Sequence, residues 1–346
     1  MAQRDKHLVG LDIEHASITA VEVAVNGRLA VRTAARAKLE EGIMRDGELV
    51  DSDGLTAALR ALWRDHKGLG KRVRIGVANQ KIVVRAIEVP PTKDRRELDA
   101  VVRFQAQDSL PMSLESAVLD YVPLNSVDNG AGERQRVLLV AARRDVVERL
   151  VNAVSRAGLK PAGIDLSAFA MVRALSSGAP ADEHVLYLCV SGTTNLAVAQ
   201  GSTCLFTRVS GAGIETLSVE LAERQGLTLD HAQAWLSHVG LEAPLESIEG
   251  DPDIVKEARH VLLDGARRIA SDVRNSLDFH TMSGATSPIT CAVLTGAAMD
   301  VPGFAAALQS EMSMPVEARG VPGGPDAIEP GRLTVAAGLA VSEVPA

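Results

Sequence analysis

Two short turns, Asp12 to Ser17 and Ser191 to Thr193, hold the residues best suited to chemistry in this chain of 346 residues. The first lies in Leu8 to Val25, LVGLDIEHASITAVEVAV, and the second in Val185 to Val209, VLYLCVSGTTNLAVAQGSTCLFTRV. Each stretch is an apolar run, a turn of small and polar residues and a second alternating run, which reads as a β-hairpin. If the turns face each other, their backbone N–H groups and the hydroxyls of Ser17, Ser191 and Thr193 point at a common anion, a geometry that suits the phosphates of a nucleotide. Gly211-Ala212-Gly213, at the start of a helix, offers further free N–H groups for the same purpose. Each motif also has a structural alternative. Asp12 equally suits a strand-end carboxylate, and Thr193, Thr194 and Asn195 equally suit turn residues that bond their own backbone. Glu14 and His15 are acid and base by type, but adjacent residues on a tight turn point apart. His231, His238 and His260 lie on helices outside any Ser/His/Asp context, so no catalytic residue is assigned.

The hairpins begin half a chain apart, which implies a duplicated domain with a cleft between the copies. After the first hairpin, a strand at Val31 to Lys38 precedes a helix capped by Ser52 and Asp53 with Leu55, Leu59, Leu62 and Trp63 on one face. Strands at Val73 to Ala78 and Lys81 to Val89, a helix from Asp94 to Leu110 stopped by Pro111, and strands at Val118 to Pro123 and Arg136 to Ala142 around Asp128-Asn129-Gly130 follow. The span from Ile82 to Gly158 therefore reads as a separate inserted unit. A strand at Leu159 to Ile164, a helix at Ser167 to Ser176 and the linker Ser177-Gly178-Ala179-Pro180 end the first half, residues 1–177. In the second half, residues 178–346, helices at Gly211 to Gln225, Leu229 to Val239 and Asp251 to Met282 form a helical region over 211–282. A strand at Ile289 to Thr295, a turn at Gly296-Ala297-Ala298, a helix at Pro302 to Met312, a strand at Val316 to Ala318 and a helix at Leu333 to Val341 close it. The fold class is α/β throughout.

Composition narrows the function. Hydrophobic residues make up 46%, charged residues 23% and aromatics 3%, so Ala, Val, Leu and Gly must build the cores of an ordinary soluble protein. The net charge of −8 argues against a general nucleic-acid binder, which needs a basic surface to displace counterions. Cys189, Cys204 and Cys291 lie in apolar runs without CxxC pairing, which suits a reducing cytoplasm. Neither a signal peptide nor a stretch of about 20 apolar residues is present, so membrane work would need a partner.

The chain resembles the actin-like ATPases, and within them the branch that holds PilM and FtsA. The resemblance rests most on VRFQAQDSLPMSLESAVLDYVPL, Val102 to Leu124, and VAARRDVVERLVNAVSRAGLKPAGIDLSAFAMVRAL, Val140 to Leu175, with support from IASDVRNSLDF and LTGAAMDVPGFAAAL. It implies duplicated actin-like (ribonuclease H-like) domains with an inserted FtsA/PilM-type subdomain. It also implies ATP held near Ser17, Ser191, Gly192, Thr193, Gly211, Gly213 and Gly296, with magnesium on Asp12. Four positions depart from the family pattern. Glu14-His15 replaces Gly-Ser, Cys189-Val190-Ser191 replaces Asp-x-Gly, Leu236 stands for a base- or ribose-facing lysine, and Gly296-Ala297 stands for Gly-Gly. A glutamate about 4 Å from an anion costs roughly 4 kcal/mol at an effective dielectric near 20, and a thiol is no magnesium ligand. ATP binding is therefore expected to be weak or lost.

The resemblance further implies a cytoplasmic scaffold of type IV pilus assembly, recruited to the inner face of the membrane by the tail of a PilN-like protein. That tail would lie in a groove beside the inserted unit, with Phe104, Leu110, Pro111 and Tyr121 as candidate lining and core packing as an alternative for Phe104. Self-association stays open. The alternatives are an active actin-like ATPase and an FtsA-like division protein; the ending LTVAAGLAVSEVPA lacks the amphipathic basic helix the latter would use.

Overall fold

The computed structural model describes residues 8–25, 29–92, 94–128, 132–177, 182–282 and 287–341. The first hairpin forms as expected, with β1 (Leu8–Ile13) antiparallel to β2 (Ser17–Val25) and β2 antiparallel to β3 (Leu29–Lys38). A two-stranded ribbon, β4 (Met44–Arg45) and β5 (Glu48–Leu49), turns at Asp46-Gly47. Helix α1 (Ser52–Asp65) is capped one residue earlier than expected, by Asp51, whose carboxylate accepts from the N–H groups of Asp53 and Gly54. Strand β6 (Arg72–Val77) then returns parallel to β1.

The inserted unit follows. Strands β7 (Val83–Val89), β8 (Ala117–Asp128) and β9 (Glu133–Arg143) form an antiparallel sheet in the order β7-β9-β8, and α2 (Arg95–Ser109) lays Leu98, Val102 and Ala106 on Val89, Val137 and Leu139. The expected limit at Gly158 is too late. Helix α3 (Arg144–Arg156) buries Leu150, Ala153 and Val154 with Leu55, Leu59 and Leu62 of α1 in the core of the first half, so the sheet unit ends at Arg143. Strand β10 (Lys160–Leu166) pairs parallel with β6, and α4 (Ser167–Leu175) follows. Asn129-Gly130 of the expected loop, Gly178-Ala179-Pro180 of the expected linker and the last residues of the chain, 342–346, lie outside the described residues.

The second half repeats the first. Strands β11 (His184–Val190), β12 (Thr194–Gln200) and β13 (Thr203–Ser210) are successively antiparallel. After helices α5 (Ile214–Gln225), α6 (Leu229–Val239) and α7 (Pro252–Met282), strand β14 (Ile289–Thr295) returns parallel to β11. Helix α8 (Phe304–Met312), strand β15 (Val316–Ala318), which is parallel to β14, and helix α9 (Pro330–Ala340) complete it. The sheet orders β3-β2-β1-β6-β10 and β13-β12-β11-β14-β15 match strand for strand. Alternation buries both faces, as a sheet covered on two sides requires. Along β11, Leu186, Leu188 and Val190 join α5 to α8 in an outer core, while Val185, Tyr187 and Cys189 point inward.

The inward faces meet α4 and α9, which pack side by side between the sheets, α4 mainly on the second sheet and α9 mainly on the first. Small residues allow this closeness. A β-carbon on Gly338 would stand 1.8 Å from the Ala170 carbonyl oxygen, and one on Gly10 1.8 Å from that of Ala336. Polar groups finish the layer: Arg173 bonds Asp165 and donates to the Gly338 carbonyl, while Arg74 donates to the carbonyls of Leu339 and Val341 at the C-terminal end of α9. Replacing Gly338→Ala should lower stability by about 1–3 kcal/mol or more, because the added carbon meets backbone that can move only with its helix. Gly68→Ala, where nothing lies within 4 Å, should not. Urea denaturation of both variants checks this.

Candidate functional site

The two hairpin turns line one cleft of about 240 Å3, with Asp12, Glu14 and His15 on one wall and Cys189, Gly192 and Thr193 on the other. Gly211, Glu215 and Thr216 close it from the entry to α5. It opens into a recess of about 630 Å3 between β7, β13 and α7, sharing Val77, Ala78, Gln80, Asn195 and Val209 with it. The duplicated hairpins thus converge as expected.

In the first turn the Glu14 N–H donates to the Ser17 carbonyl at 2.9 Å, and the Ser17 hydroxyl donates to the Glu14 carboxylate at 3.2 Å. The hydroxyl expected to meet a phosphate is therefore engaged by the chain's own carboxylate. Asp12 lies at the inward end of β1 and is buried; burial, then the charge of Glu14, pushes its carboxyl well above the usual range.

Part of the second turn is also bonded within the chain. Ser191 Oγ accepts the Ala297 N–H at 3.1 Å, Thr194 Oγ1 donates to the Ala212 carbonyl at 2.7 Å, and the Gly213 N–H donates to Thr216 Oγ1 at 3.0 Å. Gly296 has φ +87°, and a β-carbon there would lie 2.8 Å from Ser191 Oγ, so its identity follows from packing on the turn. Cys189 is buried and its thiol is pushed up by burial, then by Glu14 and Asp12. Thr193 lines the cleft, Gly211 is open towards Gln80, and the buried Asn195 Oδ1 has no partner.

The sequence reading did not single out Glu215, which is central to this site. As an acidic residue in the first turn of a helix, it looked like an ordinary complement to the helix dipole. In the fold its carboxylate lies against Gly192, and burial, then the charge of Glu14, raises its pKa to about 7 against the pull of Arg332 and Arg36. Arg36 comes from β3, with Nε buried and unpartnered, and Arg332 from α9, where its Nε donates to Asp300 at 2.5 Å.

Two of the positions expected to depart from the nucleotide pattern, Leu236 and Ala297, do not line the cleft. Leu236 is fully buried on α6 in the outer core of the second half and does not line the cleft, so it occupies no base- or ribose-facing place. Ala297 is buried with its N–H committed to Ser191. As they stand, the residues present do not fit a magnesium-bound triphosphate. The Ser17 hydroxyl and the Gly213 N–H are engaged within the chain, and Glu14 and Glu215 put carboxylates on both turns.

A second concavity separates the first half from the inserted unit. This narrow groove is lined by Met44, Leu49, Val77, Val146 and Val147 of the first half and by Ile82 and Ala142 at the edge of the insert, and the Lys81–Glu48 ion pair (2.9 Å) lies beside it. The Asn79 side chain fixes the crossing by accepting from the N–H groups of Lys81 and Ile82. The four candidate peptide contacts are not in it. Leu110 and Tyr121 pack on the insert's own core, Tyr121 Oη donates to Asp99 at 2.6 Å, Pro111 is exposed, and Phe104 is 71% exposed rather than in a core.

A family model described as type IV pilus assembly protein PilM matches residues 10–319. The chain belongs to the PilM family. Among solved structures, the PilM-PilN type IV pilus biogenesis complex is similar at TM-score 0.79 and 23% identity, covering 97% of this chain and 98% of that one. The ethanolamine utilization protein EutJ from Carboxydothermus hydrogenoformans (TM-score 0.56, 17% identity, 96% and 88% coverage) and MreB5 of Spiroplasma citri bound to ADP (0.55, 12%, 96% and 94%) share the actin-like fold. This PilM-family chain is thus an actin-like type IV pilus assembly protein.

The raised pKa of Glu215 has a sign that can be tested. A carboxylate whose folded pKa lies above its unfolded value stabilises the fold at low pH, and this stability is lost as pH rises from about 4.5 to about 7. Glu215→Gln should therefore gain on the natural chain across that window, by at most about 3 kcal/mol. Denaturant titration of both proteins at several pH values checks it.

Proposed function

We propose that this PilM-family chain is a scaffold of a type IV pilus assembly machine that holds the cytoplasmic tail of a PilN-like inner-membrane protein, with nucleotide binding weak or lost. Family membership over residues 10–319 carries the reading, and the PilM relative of known structure is in complex with PilN. We place the tail in the groove between the first half and the insert. Its apolar walls at Leu49, Ile82, Val146 and Val147 suit alternate side chains of an extended peptide, and Lys81, Glu48 and Arg143 at the rim suit its polar flanks. No helix among the described residues is long and apolar enough to cross a membrane. In this reading the tail keeps the chain at the cytoplasmic face.

In the cleft, the retained shape is that of an actin-like nucleotide site, and MreB5 shows ADP bound to the same fold. Here the turns carry the carboxylates of Glu14 and Glu215, which disfavours phosphate. The cleft then acts mainly as the packed junction of the two halves.

Fluorescence anisotropy with the N-terminal cytoplasmic peptide of the PilN-like protein tests the groove. Val147→Glu and Ile82→Glu should each weaken binding at least tenfold, about 1.4 kcal/mol or more, as loss of a central apolar contact does, with the unfolding midpoint little changed. Leu110→Asp should instead destabilise the insert. Unchanged binding in both groove variants, with loss in Phe104→Glu, would move the tail to the outer face of α2.

A further inference from the structure

The turn at Gly192 and the start of α5 form a shape that elsewhere suits an anion, and the chain supplies its own. Helix α5 begins after Gly213, so Ile214 enters the outer core and Glu215, one position on, is carried to the turn, where its N–H meets the Ser191 carbonyl at 3.3 Å. The side chain folds over the glycine. A β-carbon built on Gly192 would lie 2.6 Å from Oε2, 3.1 Å from Cδ and 3.5 Å from Oε1, so the carboxylate occupies the space directly above the turn. Its Oε2 is buried and has no hydrogen-bond partner, while the nearby Gly213 N–H is held by Thr216. The charged groups that face it are Glu14 from the first turn, Arg36 from β3 and Arg332 from α9, the last held by Asp300.

We infer that Glu215 is a resident anion of the second turn: its carboxylate stands where a phosphate group of a nucleoside di- or triphosphate would stand, and the cleft admits that phosphate only when Glu215 is neutral or withdrawn. The inference rests on the reading of the cleft as a nucleotide site in shape. It turns a weakened site into a gated one. An ionised Glu215 excludes a second anion by repulsion at contact distance, with Glu14 adding to it from the facing wall. A neutral one can turn away and leave the glycine turn open. Because its pKa is raised to about 7, both states are populated near neutrality.

The test uses the full chain, titrated calorimetrically with ATP and magnesium near pH 6 and near pH 8. ATP titrates in the same range, so each comparison is between proteins at one pH. Glu215→Gln, which keeps size and removes charge, should bind about as well as the natural chain at about pH 6 and about tenfold more tightly at about pH 8, where nine-tenths of Glu215 is ionised. Glu215→Ala should behave like Glu215→Gln and so separate charge from a new hydrogen bond. Affinities that stay equal in all three proteins at both pH values would overturn the inference while leaving the nucleotide reading in place. Failure of every protein to bind at either pH, with unfolding midpoints intact, would overturn the inference and leave the proposed scaffold with its nucleotide binding lost.

Discussion

The contact of α4 with α9 is the constraint on which the rest of the molecule depends. Each half closes with a helix that lies between the sheets, and the pair is narrow enough to join them only because Ala170, Ala336 and Gly338 present backbone rather than side chain. Close packing of this kind tolerates little change in volume. Because α9 sits on β1 and α4 on β12, the ends of β1 and β11 are brought opposite each other, and the two hairpin turns must share a cleft. The site is a consequence of that layer.

What the cleft can do is then decided by electrostatics. An actin-like cleft that holds a nucleotide needs donors facing inward and room for three phosphates. Here the Ser17 hydroxyl, the Glu14, Ser191 and Gly213 N–H groups and the Thr194 hydroxyl are bonded within the chain. Asp12, Glu14 and Glu215 put three carboxylates into one cleft, Asp12 buried, with Arg36 and Arg332 as the counter-charges nearby. Burying carboxylates without full pairing is costly, and the chain meets part of that cost by raising the proton affinity of Asp12 and Glu215. In the proposed reading, the same fold keeps its clamp of two halves while nucleotide binding weakens, and the groove beside the insert takes the partner.

Much of this was legible in the sequence, for physical reasons. The repeated hairpins alternate cleanly and are separated by polar turns, so their strands, the duplication and the shared cleft could be read from period and turn chemistry. The strands of the insert could be read from their alternation and spacing. Its end could not, because the apolar face of α3 at Leu150, Ala153 and Val154 looks the same whichever core it joins. Leu236 and Tyr121 show the same limit: type and position along a helix or strand do not say which side faces a cleft. Glu215 escaped notice since burial, not identity, makes it unusual.

Hydrogen–deuterium exchange of the full chain, alone, with the PilN-like tail peptide and with magnesium ATP near pH 8, tests the account most directly. Amide exchange reports local opening segment by segment. The peptide should protect residues 44–49, 79–84 and 142–150, while ATP leaves 12–17 and 190–196 unchanged. Protection of the two turns by ATP, with none of the groove by the peptide, would contradict the account and mark the chain as a nucleotide-binding actin-like protein whose partner binds elsewhere.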